Sequence, residues 1–251
     1  MIILDLDYNH VEKTLINWLR QKVSNANAKG VVIGLSGGID SAVTSVLAKK
    51  AFPDNVLGVI MPCYSNEQDK KDAIKVAEKF DIEYEIKELD SLYDNFKKTV
   101  VAKQSAENNN LALANVKPRL RMVTLYYYSA LNNYLVLGTD NWSELKVGYF
   151  TKYGDGGIDL TILGRLVKTE VRALAKHLDI PGDIINKKPS AGLWEGQTDE
   201  DEMGLSYDEL DKYILTGDVN PKTKEKIDTL AAKNKHKMDP VPIPKREILL
   251  T

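Results

Sequence analysis

Apolar positions recur along the first half of the chain with two alternating periods. Val11, Leu15, Trp18 and Leu19 are spaced three and four apart, which predicts an amphipathic helix with Trp18 in its core face. The run Gly30-Val31-Val32-Ile33 reads as a short buried strand, and 42–48 opens a helix. A second apolar run covers 55–61, a helical pattern covers 68–80, and 82–86 alternates as a strand. A further helical stretch ends near Lys103, a polar connection covers 104–110, and a long helix over 120–131 precedes the strand 134–137. This alternation predicts an α/β fold, a three-layer sandwich with a mostly parallel sheet flanked by helices. Ligands of such sheets bind beyond the carboxyl ends of the strands, where Ser36 and Thr139 both fall and could face one pocket.

The second half is punctuated differently. Residues 187–202 have little periodicity, are rich in loop formers and acids, and read as a lid-like loop. Helical patterns return at 207–215 and 222–233, and the Pro-Val-Pro-Ile-Pro run at 240–244 forces an extended tail. No internal repeat or low-complexity tract is present.

At 251 residues and 43% hydrophobic composition the chain is read as a single domain over 1–251. A net charge of -2 argues against a nucleic-acid partner and favours a small one. One cysteine, Cys63, excludes an internal disulfide, a cysteine-rich zinc site and a two-cysteine redox motif. The N-terminus carries acids in place of a targeting pattern and no segment is long enough to span a bilayer, so the expectation is a cytoplasmic protein with no membrane partner.

The chemistry concentrates in Gly34-Leu35-Ser36-Gly37-Gly38-Ile39-Asp40-Ser41, a glycine-rich turn between a strand and a helix. Helix starts offer unpaired N–H groups and partial positive charge to phosphate. Gly37 and Gly38 let the backbone approach, and Ser36 and Ser41 add hydroxyl donors. Asp40 repels a bare phosphate and makes sense as a Mg²⁺ ligand. Neither the Walker pattern nor the dinucleotide fingerprint fits. Ser-Gly-Gly-Ile-Asp-Ser resembles the pyrophosphate-binding loop of the N-type ATP pyrophosphatases, the PP-loop family.

Further stretches narrow the resemblance: Pro118-Arg119-Leu120-Arg121-Met122, Gly138-Thr139-Asp140-Asn141-Trp142-Ser143-Glu144, Tyr153-Gly154-Asp155-Gly156-Gly157, Lys188-Pro189-Ser190-Ala191-Gly192-Leu193-Trp194, and the acidic 197–202. In order, over most of the chain, they resemble the ammonia-dependent NAD synthetases. That resemblance implies an adenine nucleotide alpha hydrolase-like fold and a C–N bond-forming ligase for the last step of NAD biosynthesis. The implied reaction adenylates deamido-NAD with ATP and displaces AMP with ammonia. Glutamine-dependent members carry an N-terminal glutaminase domain. Only a short segment precedes the loop here, so free ammonia is the expected donor.

Position by position, the resemblance assigns ATP to Gly34, Leu35, Ser36, Gly37, Gly38, Ile39, Asp40, Ser41, Thr139, Lys168 and Ser190. It assigns Mg²⁺ to Asp40 and Glu144, and deamido-NAD to Arg119, Lys152, Asp159, His236 and Lys237. It also implies a homodimer with the dinucleotide site at the subunit interface. Asp155 is the candidate catalytic residue, a carboxylate to receive ammonium and help deprotonate it; alternatively it bonds only its own turn. Tyr149 and Phe150 are either stacking or packing groups, and Arg121 serves either the loop or the helix. Pro118 stands where the family commonly has Ala; it removes an N–H yet is compatible with a helix start. Two other readings remain: another PP-loop amidotransferase or tRNA-modifying enzyme, and a non-catalytic nucleotide-binding protein.

Overall fold

A computed structural model describes residues 6–100, 110–190, 192, 194 and 196–249. The elements in chain order are α1 (Tyr8–Asn25), β1 (Gly30–Gly34), α2 (Ile39–Ala51), β2 (Val56–Ile60), α3 (Glu67–Lys79), β3 (Tyr84–Ile86), α4 (Asp90–Val100), α5 (Asn110–Ala114) and α6 (Val116–Asn132). There follow β4 (Tyr134–Gly138), α7 (Trp142–Val147), β5 (Leu160–Thr161), α8 (Lys168–His177), α9 (Gly182–Ile185), α10 (Asp199–Met203), α11 (Tyr207–Thr216) and α12 (Pro221–Asn234). Two 3₁₀ turns, Lys235–Lys237 and Arg246–Leu249, bracket an extended tail.

The strands form one sheet in the order β3-β2-β1-β4-β5, every pairing parallel. Val31 pairs with Val56 and with Leu135, so β1 is buried on both sides. Alternate side chains then feed opposite layers. Val31 and Ile33 join α1, α2, α3 and α8 in the larger core. Val32 and Val136 join Tyr128 of α6, Cys63 and Leu89 on the other face. The expected three-layer α/β sandwich is the observed one. A third cluster of Val147, Met203, Leu205, Tyr207, Leu210 and Ile227 holds α7, α10, α11 and α12 together beyond the sheet. Among the described residues no helix is long and apolar enough to cross a membrane.

Three differences from the periodicity have local causes. The strand expected at 82–86 is only β3, because Ile82 is spent on ending α3. Asp81 takes φ 53° and the Ile82 N–H bonds the Ala77 carbonyl, a Schellman closure with its apolar residue buried. The long helix begins earlier, at Val116, since Pro118 lies in the first turn, where its missing N–H would have had no helical partner. The acidic end of the lid-like stretch is the helix α10, capped by Thr198, with carboxylates in the first turn where the helix dipole favours them. The helix end near Lys103 and most of the polar connection at 104–110 lie outside the described residues, as do Ala191, Leu193 and Glu195 of the lid stretch.

Candidate active site

The sheet reverses direction of growth between β1 and β4, and the loops leaving both strands, 35–38 and 139–141, share that switch point. The β1–α2 loop folds on itself. The Ser41 hydroxyl donates to the Gly38 carbonyl at 2.9 Å, the Ser36 hydroxyl lies 3.1 Å from Ser41 Oγ, and the Gly38 N–H donates to Ser36 Oγ at 3.3 Å. Gly37 is required: its φ is +78°, and a Cβ there would stand 2.2 Å from the Asp69 carbonyl. The helices α1, α3, α7, α10, α11 and α12 are capped by their own N-cap side chains, whereas α2 starts at Gly38 with no side-chain cap. Its first amides are left for an anion.

Three of the expected residues meet behind this loop. The Lys168 ammonium lies 2.5 Å from Asp40 Oδ2 and 3.2 Å from Glu144 Oε1. Each partner is held by a separate device. Asn141 and Glu144 form a capping box at α7, and the Asn141 amide also donates to Asp40 Oδ1 at 2.9 Å. Lys168 is the first residue of α8, whose opening amides are taken by other helices. The Lys168 N–H donates to Ser143 Oγ at 3.0 Å and the Thr169 N–H to Asp211 Oδ2 at 2.7 Å. The buried Asp211 also accepts from Ser143 at 2.5 Å. Tyr207 closes the wall. Its hydroxyl lies 3.1 Å from Glu144 Oε1 and 2.9 Å from Asp199 Oδ2, and the ammonium sits 4.8 Å from its ring centroid.

Burial dominates the charges here. It pushes the Glu144 carboxyl up to about 7 against the attraction of Lys168. Burial also opposes the Lys168 charge, yet Asp40 and Glu144 together hold its pKa above the ordinary lysine value. Asp140 is raised well above its ordinary value by burial and then by Asp155, Glu144 and Asp40. The site therefore carries more acid than one ammonium neutralises, and two hard carboxylate oxygens, from Asp40 and Glu144, converge on one cation. That donor set fits Mg²⁺, which takes one or two protein carboxylates and completes its shell with phosphate and water.

The other expected residues fall into separate groups. In the turn 151–157, Asp155 Oδ1 accepts from the Thr151 N–H at 3.0 Å. The residue as a whole is exposed, while the atoms crowding its carboxyl raise its pKa, opposed by the Thr151 amide and then Arg121. Arg119, Lys152 and His236 form a chain: an Arg119 guanidinium nitrogen donates to the Lys152 carbonyl at 3.3 Å, and the Lys152 ammonium to the His236 carbonyl at 2.5 Å. Lys237 instead braces the backbone, donating to the Gly148 and Phe150 carbonyls at 2.7 and 2.8 Å. Asp159 stands apart and completes the sheet edge, accepting from the Val136 N–H at 2.8 Å and the Tyr126 hydroxyl at 3.0 Å. Thr139 is half-buried just past β4, and exposed Ser190 accepts from the Gly192 N–H at 3.1 Å.

Tyr149, Phe150 and Arg121 each have partners within the chain. Phe150 packs where a Cβ on Gly156 would intrude, 2.3 Å from its ring, and the Tyr149 hydroxyl donates to Glu202 at 2.8 Å. Arg121 serves the loop after β2, donating to the Met61 carbonyl at 3.1 Å and Ser65 Oγ at 3.2 Å. Sequence reasoning missed Asn141, Ser143, Asp199, Tyr207 and Asp211. Asn141 was detectable from the Asn-x-x-Glu capping spacing. Ser143, Asp211 and Tyr207 reach Lys168, Thr169, Glu144 and one another's helices across 25 to 68 positions, and Asp199 enters through Tyr207, so none of the four carries a local signal for the site.

Comparison with known proteins adds independent findings. A family model described as NAD synthase matches residues 11–241. The NH(3)-dependent NAD(+) synthetase of Carboxydothermus hydrogenoformans is 51% identical over 231 residues, 91% of this chain and 95% of that one. Among solved structures, NMN synthetase from Francisella tularensis is similar at TM-score 0.90 and 39% identity, over 96% of this chain and 99% of that one. The NH3-dependent NAD synthetase from Campylobacter jejuni is similar at TM-score 0.78 and 35% identity, over 96% and 100%.

Proposed function

The chain belongs to the NAD synthase family, and from that premise we infer that it converts deamido-NAD to NAD with ATP and ammonia. The observation that carries this reading is the meeting of an uncapped helix start with Asp40, Glu144 and Lys168 at the sheet's switch point.

The reaction has two displacements. The substrate carboxylate attacks the α-phosphorus of ATP, pyrophosphate leaves, and an acyl-adenylate forms; ammonia then attacks the acyl carbon and AMP leaves. Neither needs a protein nucleophile, so alignment and charge stabilisation are the protein's task. The α2 amides with Ser36 and Ser41 receive phosphate oxygens, and Thr139, Lys168 and Ser190 complete the ATP contacts. Lys168 must release a carboxylate to reach phosphate, and its N-terminal position in α8 keeps the stem fixed while the ammonium moves. Asp40 and Glu144 are the residues that would hold Mg²⁺, which when bound neutralises phosphate charge. Arg119, Lys152, Asp159, His236 and Lys237 form the dinucleotide side. Asp155 receives ammonium, and its raised pKa suits a group that takes a proton from it.

We further infer a homodimer through α6. Val123, Tyr127 and Leu131 are 61%, 63% and 64% exposed and recur every four residues, an apolar stripe that continues the line of Arg119. A partner covering that stripe would bring Arg119 to the interface. Sedimentation checks this: the wild type runs as a dimer and Tyr127→Asp as a monomer, and a monomeric wild type overturns it.

The deciding assay is chromatography of AMP and NAD from protein, ATP, Mg²⁺ and deamido-NAD, with ammonium or glutamine as nitrogen source. Equal amounts of AMP and NAD with ammonium alone are expected; no AMP with either source removes the reading. The likeness to an NMN synthetase makes nicotinate mononucleotide the competing acceptor, since it presents the same carboxylate without the adenylyl half. Preference for it in the same assay would reassign the substrate. Asp155→Asn should raise the ammonium concentration for half-maximal rate by about tenfold. Unchanged ammonium dependence would leave Asp155 as a turn residue.

A further inference from the structure

A second ammonium touches the phosphate loop from outside. Lys187, at the root of the lid stretch, lies 2.6 Å from Asp69 and 2.6 Å from Asp72, both on α3, and 3.3 Å from the Gly37 carbonyl. Asp72 is buried and also accepts from Gln68 at 2.7 Å, so the clamp is anchored in α3. The same helix supplies the Asp69 carbonyl, which leaves no room for a side chain at Gly37. One side chain therefore joins the lid root, α3 and the loop.

The consequence follows from the peptide unit. In a trans peptide the carbonyl and the next N–H point in opposite directions, and the described residues contain no cis bond. An ammonium holding the Gly37 oxygen outward turns the Gly38 N–H inward, toward Ser36 Oγ and the start of α2. The pull on the oxygen also polarises that N–H as a donor.

We propose that Lys187 is a positioning residue for ATP: by fixing the Gly37–Gly38 peptide it aims the Gly38 N–H at the phosphates and ties the lid root to the loop. The proposal rests on the assignment of the β1–α2 loop to ATP phosphates. In it Lys187 never contacts substrate, which separates its role from that of Lys168.

The test is steady-state kinetics with calorimetric ATP binding in Mg²⁺, on Lys187→Met, Lys187→Arg and Lys187→Met/Asp69→Asn/Asp72→Asn. Lys187→Met is expected to raise both KM and Kd for ATP by about tenfold, with KM for deamido-NAD within about twofold. Lys187→Arg recovers most of the loss, since a cation again reaches the carbonyl. The triple variant removes the carboxylates that Lys187→Met leaves unpaired, and so separates peptide positioning from simple repulsion of ATP. Persistence of weak ATP binding in the triple variant supports the proposal. Its restoration to the wild-type value, or an unchanged Kd in Lys187→Met, overturns it. Wild type that binds ATP without forming AMP or NAD would sink the synthetase reading while leaving the Kd comparison to judge Lys187.

Discussion

Two lysines flank one phosphate loop, and each bridges two carboxylates, yet their surroundings make them different devices. Lys168 has a side chain only 2% exposed and joins residues from three separate elements: Asp40 of α2, Glu144 of α7 and its own α8. Lys187 is 28% exposed, and its two carboxylates both come from α3. The carboxylates of Lys168 are the pair proposed to take Mg²⁺, and in that reading the ion pair is exchanged when substrate arrives. Those of Lys187 lie outside the loop and stay paired. A buried ammonium between two acids is costly unless fully compensated. Here the Asn141 amide on Asp40 and the Tyr207 hydroxyl on Glu144 supply compensation, while Ser143 and Asp211 hold the first amides of α8. Depth thus buys charge density at the reacting end, while the outer clamp only sets a backbone angle.

The contrast can be broken most severely at Lys168. Lys168→Met should lower kcat/KM by about 10³-fold, because it removes the phosphate charge and leaves Asp40 and Glu144 facing each other uncompensated. Lys168→Arg should not rescue it, since a broader guanidinium would replace an ammonium whose side chain is only 2% exposed. A loss within tenfold, or rescue by arginine, would make the two lysines equivalent.

Glu144→Gln should lower turnover by about 10²-fold and raise the Mg²⁺ needed for half-maximal rate. It also reports on burial. The folded Glu144 carboxyl titrates near 7, above its ordinary 4.5, so the folded protein binds an extra proton between those values. Metal-free wild type should therefore lose stability relative to Glu144→Gln as pH rises from about 4.5 to about 7. Parallel stability curves in urea titrations would show that Glu144 is not strained by its burial.

Tyr207→Phe gives the smallest effect. It keeps the ring beneath the ammonium and removes one hydroxyl shared by Glu144 and Asp199, costing about 1–2 kcal/mol of stability and a few-fold in rate. If stability were unchanged, the wall around Lys168 would owe little to that hydroxyl, and its depth alone would distinguish it from Lys187.

The turn from β1 into α2 was legible because its information is local: two glycines, two hydroxyls and an acid lie within eight residues after a strand and dictate a turn into an open helix start. Asp40, Glu144 and Lys168 were identified through resemblance, and their meeting was not readable from spacing. Asp159, assigned to the dinucleotide by resemblance, also accepts from a strand amide and from the Tyr126 hydroxyl, a placement that nothing in its local sequence signals. Asp199 and Tyr207 escaped notice because an acid in an acidic run and a tyrosine in a helix have ordinary local explanations.

By itself the sequence determined the alternation of strands and helices, the parallel sheet, the glycine-rich turn from β1 into α2 and the family, since each follows from periodicity or from contiguous motifs. Only the tertiary structure decided which charges share an environment. Lys168 stands 128 positions from Asp40, and Lys187 stands 150 from Gly37. Hydrophobic burial closes those separations, and the resulting loss of water turns ordinary acids and lysines into paired, shifted groups with separate tasks.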